Sequence, residues 1–304
     1  MPSAQYRYVR SRQLEGTYPG DRWTGAWITT DLRIQKGWGC PTEGDWPYET
    51  DLWPPIEPPG MDERAKENRL FAYVRVRTID DCRRVVAGKA ALPHCAFEID
   101  GSWKNPNPLH GIIPSPVGRM PTGESHAVTL VRYDDRRRRF KFANTWGTRW
   151  GHHGYGSLPY DYFPTRLLEA WCSVLYRPLL VARRPPSRIV VGRSTIADPL
   201  GRVLRVVEIE DQEQDEMLGW AFLVETADGP EVEELFVRPA YRGLGYGRKL
   251  AARLAPFLPR RAWIPRVDWT GSLTPALAAT LRRLNLAVQP SPERWAAAVA
   301  VRMP

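Results

Sequence analysis

A glycine-rich turn between two apolar segments is the clearest chemical feature of this sequence. The turn reads Arg242-Gly-Leu-Gly-Tyr-Gly247 and follows an apolar run of strand length, residues 232–237, which Pro239 ends. Leu250 and Leu254 then recur at helical spacing. Glycines in such a turn let backbone N–H groups crowd together and point one way, and the dipole of the following helix adds positive potential. The pattern predicts a cradle for a pyrophosphate group; the alternative is a tight turn without a ligand.

With its flanks the turn reads R-P-x-Y-R-G-x-G-x-G, which resembles the acetyl-CoA signature of the GNAT acetyltransferases. An arginine leads the glycines and no acidic residue follows at the ribose position, unlike a dinucleotide-binding fingerprint, and no P-loop Gly-Lys-Ser/Thr is present. The resemblance implies acetyl-CoA as the cofactor and an amine-bearing acceptor, which is a small molecule, a protein or a peptide. It implies that strands 232–237 and 262–268 part to admit the pantetheine arm. The residues expected to contact the cofactor are Phe236, Val237, Arg242, Gly243, Leu244, Gly245, Tyr246 and Gly247.

Attack on a thioester needs a neutral amine, so a nearby carboxylate has to take the proton of the ammonium group, directly or through water. Glu233 and Glu234 are the candidate general bases, and members of the resembled family carry such a glutamate on this strand. Neighbouring residues of a regular strand point to opposite faces, and the register is open. The alternative for each is a solvated strand residue. Many relatives also carry a tyrosine as general acid in a later Y-R-R-x-G-F segment; residues 281–286 match it without a phenol, so the acid is absent or is water.

A second pattern lies in the first half of the chain. His126 opens one apolar run, and Asn144 ends the next, just before Thr-Trp-Gly-Thr-Arg-Trp-Gly-His-His-Gly-Tyr-Gly156. This pattern resembles the C-terminal half of papain-like (C1 family) cysteine peptidases. The resemblance implies that His126 is the catalytic histidine, that Asn144 orients its imidazole and that Trp146 shields the pair. Weaker matches at residues 37–48 and 158–162 extend the resemblance over roughly residues 1 to 165.

The segment that would carry the nucleophile of such a peptidase is missing. In that family it is a C-G-x-C-W segment about 130 to 150 residues before the histidine, which would fall before Met1. No Q-G-x-C-G-x-C-W run is present, so the oxyanion glutamine is missing too. Cys40 lies in a glycine-flanked loop, but Pro41 follows where a helix would have to begin. A histidine without a thiolate has nothing to activate, so we expect an inactive papain-like domain. Activity would require a start further upstream, or a separate chain that completes the fold.

Composition narrows the class of protein. The 304 residues carry a net charge of +9, and 43% apolar residues suffice for two buried cores. Arginine clusters such as residues 136–139 suggest acidic partners, but no nucleic-acid-binding motif accompanies them, so we expect a solvated basic surface. Four widely spaced cysteines indicate reduced thiols, and five histidines without paired spacing indicate no metal site. The sequence shows no signal peptide and no apolar run near 18 residues, which predicts a cytoplasmic protein without a membrane partner.

Periodicity and turn residues predict an α+β protein of two domains. We expect a truncated papain-like fold over residues 1–176, a proline-rich linker over 177–187 and a compact GNAT fold over 188–304, with a mixed, mostly antiparallel sheet and flanking helices. Residues 188–202 are too short for the first strand and the two substrate-side helices of that fold. We therefore expect the papain-like domain to supply part of the acceptor pocket. Helices are predicted within residues 5–14, 30–36, 80–91 and 275–286, and strands over 70–76, 95–99, 127–133, 139–143, 203–209, 217–225, 232–237, 262–269 and 295–302.

The function that follows is acetyl-CoA-dependent N-acetyl transfer to a primary amine. Two alternatives stay open. The first is a cysteine peptidase whose nucleophile lies upstream of Met1 or on another chain. The second is a non-catalytic module whose papain-like cleft binds a peptide without cutting it.

Overall fold

The computed structural model describes residues 1–49, 51–104, 111–174, 189–258, 262–264 and 286–288. The helices are α1 (Ala4–Glu15), α2 (Ile28–Gly37), α3 (Met61–Ala65), α4 (Ile79–Gly88), α5 (Tyr162–Arg166) and α6 (Tyr246–Leu254). The strands are β1 (Ala72–Arg75), β2 (Pro93–Glu98), β3 (Ser125–Asp134), β4 (Arg139–Ala143), β5 (Tyr155–Pro159), β6 (Leu167–Val174), β7 (Ile189–Ala197), β8 (Val203–Asp211), β9 (Glu216–Thr226), β10 (Gly229–Val237), β11 (Ala262–Ile264) and β12 (Leu286–Val288). Within these residues, none of the helices is long and apolar enough to cross a membrane.

The predicted α+β class is confirmed, since two antiparallel sheets are combined with short helices. The predicted linker over 177–187, most of the predicted helix over 275–286 and the predicted strand over 295–302 lie outside the described residues. Contacts divide the chain into two compact units. One comprises residues 1–72 together with 175–304, and the other comprises residues 73–174.

A six-stranded sheet in the order β1-β6-β2-β3-β4-β5 organises residues 73–174. The predicted hairpin of β3 and β4 is confirmed, and it pairs Thr129 with Ala143 and Asp134 with Arg139. Inward-facing aromatic side chains fill the core between the sheet and α5, including the fully buried Phe142. The hairpin places the start of β3 beside the residue that follows β4, which are the positions of the predicted histidine and asparagine.

A second antiparallel sheet, in the order β10-β9-β8-β7, organises the C-terminal part of the chain. The predicted hairpin of β8 and β9 is confirmed. The expectation that the first strand of this sheet has no room is wrong, because Ile189–Ala197 forms β7 and pairs with β8 along its whole length. A tight turn connects β7 to β8 with few residues. Asp198 Oδ1 accepts hydrogen bonds from the backbone N–H groups of Leu200 and Arg202, and Gly201 takes a left-handed φ of 76°. No helix separates the two strands.

One face of this sheet packs against α6. The helix buries Leu250 and Leu254 against inward-facing residues of three strands, among them Val207, Leu223 and Val232. A 3.6-residue period on the helix and a two-residue period on the strands bring these side chains together, as the apolar patterns predict.

Helix α2 covers the other face of the same sheet, although about 170 residues separate it from β8 in sequence. Lys36 forms an ion pair with Glu208 of β8, and both side chains are 2% exposed. One turn earlier, Arg33 donates two hydrogen bonds to Glu234 of β10, from Nε to Oε2 and from Nη2 to Oε1, each 3.3 Å long. The N-terminal segment is therefore part of the unit that contains the C-terminal sheet.

Close packing at the end of α2 leaves no room for a side chain there. A Cβ atom built on Gly37 would lie 3.0 Å from the ring of Trp220 on β9. Next to it, the guanidinium of Arg238 lies 4.1 Å from the ring of Trp38. Gly37 thus lets the end of α2 approach the sheet closely, and the rings of Trp220 and Trp38 pack at this contact.

The ion pair of Lys36 and Glu208 gives a test of this packing. Removal of one partner leaves a buried charge without compensation, so Lys36→Met should lower the free energy of unfolding by about 3 kcal/mol. The double variant Lys36→Met, Glu208→Leu should recover most of that loss, since neither charge is then buried. Denaturant unfolding measures both, with Lys104→Met at the exposed Lys104–Glu124 pair as a control that changes stability by less than about 1 kcal/mol. Equal stability of the single variant and the wild type would contradict the buried pair.

Candidate functional site

The glycine-rich turn joins β10 to α6. Gly243 and Gly245 both adopt a left-handed backbone, with φ of 84° and 83°. A Cβ atom on Gly243 would meet no atom within 4 Å, and one on Gly245 would meet only the end of the Arg248 side chain at 3.5 Å. Glycine is therefore required here by backbone conformation, and space remains open beside the turn.

The N-terminus of α6 offers hydrogen-bond donors. Gly245 is the N-cap residue and provides no side chain, and the first turn of the helix holds no acidic residue. Within the described residues, the backbone N–H groups of residues 243–248 find no acceptor. Arg242 precedes them, and its Nε donates to the carbonyl oxygen of Val237 over 3.1 Å. Unsatisfied amides, a helix dipole and nearby basic side chains together suit a bound anion.

The other predicted cofactor-binding residues divide between the two faces of the sheet. Phe236 is buried on the face that α2 covers and lies 4.8 Å from Trp220, ring centroid to ring centroid. Val237 packs on the opposite face, against the core of α6, as does Tyr246. Leu244 at the tip of the turn is 63% exposed. The turn therefore brings Arg242 and the glycines together, whereas Phe236 and Val237 are separated by the sheet.

The two candidate bases lie at an irregularity in β10. The register with β9 shifts between Val232, which pairs with Leu223, and Glu234, which pairs with Phe222. Glu233 is thus the extra residue of a β-bulge, so the regular alternation of faces assumed from the sequence does not hold here. The alternative interpretation, a solvated strand residue, is wrong for both glutamates because both are buried.

Each candidate base faces a cation. Both carboxylate oxygens of Glu234 accept from Arg33, as described above. Oε1 of Glu233 lies 3.9 Å from Nη2 of Arg202, whose Nε is bonded to Asp198 at 2.7 Å. The two carboxylates thus belong to different ion pairs, one reaching α2 and the other reaching the turn between β7 and β8.

Strand β11 follows α6 and pairs with β12 in parallel. In the part of the chain that the structure describes, no ladder joins β10 to β11, since each belongs to a different sheet. The parting of these strands beside the glycine-rich turn stays a prediction.

The unit of residues 73–174 brings His126 and Asn144 together. His126 Nε2 lies 2.7 Å from Asn144 Oδ1, and the same oxygen accepts from the backbone N–H of Thr145 over 2.8 Å. Because an amide oxygen only accepts hydrogen bonds, Nε2 has to carry the proton. In the neutral imidazole, Nδ1 is then the remaining acceptor.

Aromatic rings enclose this pair. The ring of Trp146 lies 4.3 Å from the imidazole of His126 at an interplanar angle of 34°, and Trp103 meets the imidazole edge-on at 6.1 Å. Burial lowers the pKa of His126, and the hydrogen bond to Asn144 opposes that shift. The imidazole is therefore neutral at pH 7, with the geometry of a general base.

The four cysteines are free thiols and all are buried. Cys40 is 3% exposed, and its Sγ lies 3.4 Å from the carbonyl oxygen of Pro41. Burial raises the pKa of Cys40 to about 11, with the charge of Arg7 acting in the opposite direction. Cys95 is fully buried, while its neighbour His94 contacts Thr129 Oγ1 through Nδ1 at 3.0 Å. All four thiols therefore lack the exposure of a nucleophile, and Cys40 also lacks thiolate character.

Sequence reasoning missed Arg33 and Arg202, the partners of the two candidate bases. Arg33 belongs to a polar helix in which Lys36, three residues on, is also buried. Nothing in the sequence separates such residues from a solvated helix face, because their partners lie far along the chain. Asp198-Pro-Leu-Gly-Arg202 did carry a turn signal, since aspartate and glycine at these spacings favour a hairpin.

Comparison with known proteins finds similarities for both parts of the chain. Residues 169–280 match the family model described as the acetyltransferase (GNAT) family. The matched region includes β7 to β10, the glycine-rich turn and α6.

The N-terminal portion matches cysteine peptidases. An uncharacterised peptidase C1-like protein of Acanthamoeba polyphaga mimivirus is 30% identical over 176 residues, which is 53% of this chain and 54% of the viral protein. The chain thus spans about half the length of this curated relative. The crystal structure of xylellain, a cysteine protease from Xylella fastidiosa, is 27% identical with a TM-score of 0.52, over 58% of this chain and 70% of that chain.

The fold, the glycine-rich turn and the paired histidine and asparagine agree with these similarities. The chain therefore joins a region that matches the GNAT acetyltransferase family over residues 169–280 to an N-terminal portion similar to papain-like C1 cysteine peptidases.

Proposed function

We propose that the protein transfers an acetyl group from acetyl-CoA to a primary amine. The observation that carries this proposal is the turn before α6, whose amides have no acceptor within the described residues and whose two glycines hold a left-handed backbone beside open space. The match to the acetyltransferase family supports the same chemistry.

The residues of the turn fit the anionic part of the cofactor. The N–H groups of residues 243–247 would hold the pyrophosphate at the positive end of the α6 dipole, and Arg242 would add a charge-assisted hydrogen bond. A side chain on either glycine would enter the space that the phosphates need. Bound acetyl-CoA supplies an activated acetyl thioester.

The remaining task of the protein is to accept a proton. An amine arrives mainly as an ammonium ion and attacks only after deprotonation, so a carboxylate takes that proton, directly or through water. The nitrogen of the neutral amine would then form the amide bond as the carbon–sulfur bond of the thioester breaks, and the second proton of the amine would pass to the departing thiolate. Glu233 and Glu234 are the proposed bases, and both carboxylates are buried on β10.

A second function is favoured by the geometry of His126 and Asn144, which is that of a general base and its orienting amide. We propose that residues 1–304 do not by themselves form a peptidase, because each of their four thiols is buried. A thiolate brought by residues outside this sequence or by another chain would face Nδ1 of His126. Without one, the same surface would bind a peptide and leave it intact.

Gly245→Val tests the cofactor site. Valine at a φ of 83° is strained, and its methyl groups would crowd the amides, so the dissociation constant for acetyl-CoA should rise at least about 30-fold. Gly201→Val is the matched control, since Gly201 has a φ of 76° and a comparably open Cβ position but lies in the turn between β7 and β8. Calorimetric titration with acetyl-CoA measures the affinity of both variants. Their melting temperatures measure the destabilisation by backbone strain that both share, so a loss of binding is distinguished from a loss of folding. Equal affinities would contradict the proposed cradle.

Glu233→Gln and Glu234→Gln identify the base. The variant that lacks it should lose about 100-fold in kcat, while its affinity for acetyl-CoA stays within a factor of a few. The loss in kcat should be smaller with amine acceptors of lower pKa, since a larger fraction of such an amine is already deprotonated. Full activity of both variants would show that the base lies elsewhere.

Thiol reactivity tests the cysteines. With its pKa near 11, Cys40 is protonated at pH 7.5, and burial blocks access, so iodoacetamide should not label the native protein. The denatured protein should react at all four thiols, which controls for reagent quality. Labelling of native Cys40 that disappears on His126→Ala would instead reveal a thiolate activated by that imidazole.

A further inference from the structure

Arg33 of α2 lies between the two parts of the proposed transfer site. Its fork of nitrogens reaches both oxygens of Glu234, a candidate base, at 3.3 Å. Its guanidinium also lies 5.1 Å from the ring centroid of Phe236, two residues further along β10. Arg242, the first residue of the glycine-rich turn, lies 5.6 Å from the centroid of the same ring. A chain of contacts therefore runs from the candidate base through Arg33 and Phe236 to the turn.

The two guanidinium groups influence one another. Burial and, after it, the positive charge of Arg33 lower the pKa of Arg242. Like charges on a shared aromatic ring repel, and an anion at the turn would relieve that repulsion. Glu234 already offsets the charge of Arg33 from the other side, which fixes the direction in which its fork points.

The contacts of Lys36 differ from those of Arg33, although both residues hold α2 against the sheet. It lies one helical turn from Arg33, is equally enclosed, and pairs with Glu208 on β8. The aromatic ring near its ammonium group is that of Phe71, at 5.5 Å, and not that of Phe236. The two cations thus anchor the same helix on the same face of the sheet, but Arg33 pairs with the candidate base Glu234, whereas Lys36 pairs with Glu208.

We propose that Arg33 is a positioning residue of the acetyl-transfer site, and that α2 thereby makes the N-terminal segment a working part of the transferase. This inference rests on the function proposed above. Arg33 sets the orientation of the Glu234 carboxylate and of the Phe236 ring, against which Arg242 and the turn are placed. A bidentate fork on a carboxylate combined with an aromatic contact is a geometry that arginine provides and lysine does not.

The consequence concerns the amine acceptor. Glu234 lies on the sheet face that α2 covers, so the acceptor has to approach this carboxylate along the border between α2 and β10. Residues of α2 that line this border then contribute to the choice of acceptor. A transferase region separated from residues 1–72 would lose this wall and the partner of Glu234.

The experiment compares Arg33→Met with Lys36→Met in the full-length chain. Both variants remove one buried cation from α2 and leave one buried glutamate, so their effects on folding are matched. At a temperature well below both unfolding transitions, calorimetry with acetyl-CoA and steady-state transfer to a primary amine are measured on the wild type and both variants.

We expect Arg33→Met to raise the dissociation constant of acetyl-CoA about tenfold and to lower kcat about tenfold, while Lys36→Met changes each less than threefold. Arg33→Lys should restore the melting temperature more fully than it restores kcat, because it returns the charge without the fork. Equal values for Arg33→Met and Lys36→Met would overturn the positioning role and leave the proposed function intact. A wild-type protein that binds no acetyl-CoA would overturn the proposed function, and this inference with it.

Discussion

The ion pairs between α2 and the C-terminal sheet determine how the larger unit is built. A sheet has two faces, and α6 covers only one of them. On the other face Glu208 and Glu234 lie on β8 and β10, with β9 between them, which places them about 10 Å apart across the sheet. Arg33 and Lys36 are separated by three residues, a helical rise of about 4.5 Å, so their long side chains have to reach outward in opposite directions. The pairs therefore fix where α2 crosses the strands.

Such pairs contribute specificity more than net stability, since the cost of desolvating two charges offsets most of their attraction. An apolar helix could cover this face and slide along it, whereas two buried cations opposite two buried carboxylates accept one position only. The same constraint places an arginine against Glu234. A contact that selects the position of a helix thereby also sets the surroundings of a candidate base, which is why folding and function are difficult to separate at this face.

Local features could be predicted from the sequence, and contacts between distant segments could not. The glycine-rich turn and the β3–β4 and β8–β9 hairpins follow from turn residues and apolar runs close together in the chain, whereas the approach of His126 to Asn144 was expected from the resemblance to papain-like peptidases. The bulge at Glu233 was missed because one extra residue leaves no mark in an apolar pattern. Strand β7 was missed because its pattern is weak at a sheet edge, where its side chains are only partly buried. The pairing of Arg33 with Glu234 spans 201 positions in sequence, and no local pattern carries that information.

The two segments of the larger unit are far apart in sequence, so bringing them together has an entropic cost of loop closure. The larger unit needs contacts between residues 1–72 and residues after 189, with a unit of about a hundred residues inserted between them in sequence. Closing so long a loop would cost several kcal/mol if the insert were a flexible chain, since the cost grows with the logarithm of its length. The insert, however, begins with β1 and ends with β6, and these two strands are neighbours in its sheet, with the Val76 N–H bonded to the Ala170 carbonyl oxygen. In the folded insert its first and last strands lie about one strand spacing apart, so a folded insert lowers the entropic cost of closing this loop. The insert of residues 73–174 thus has a structural part in the protein, because its sheet connects the two segments of which the larger unit is built.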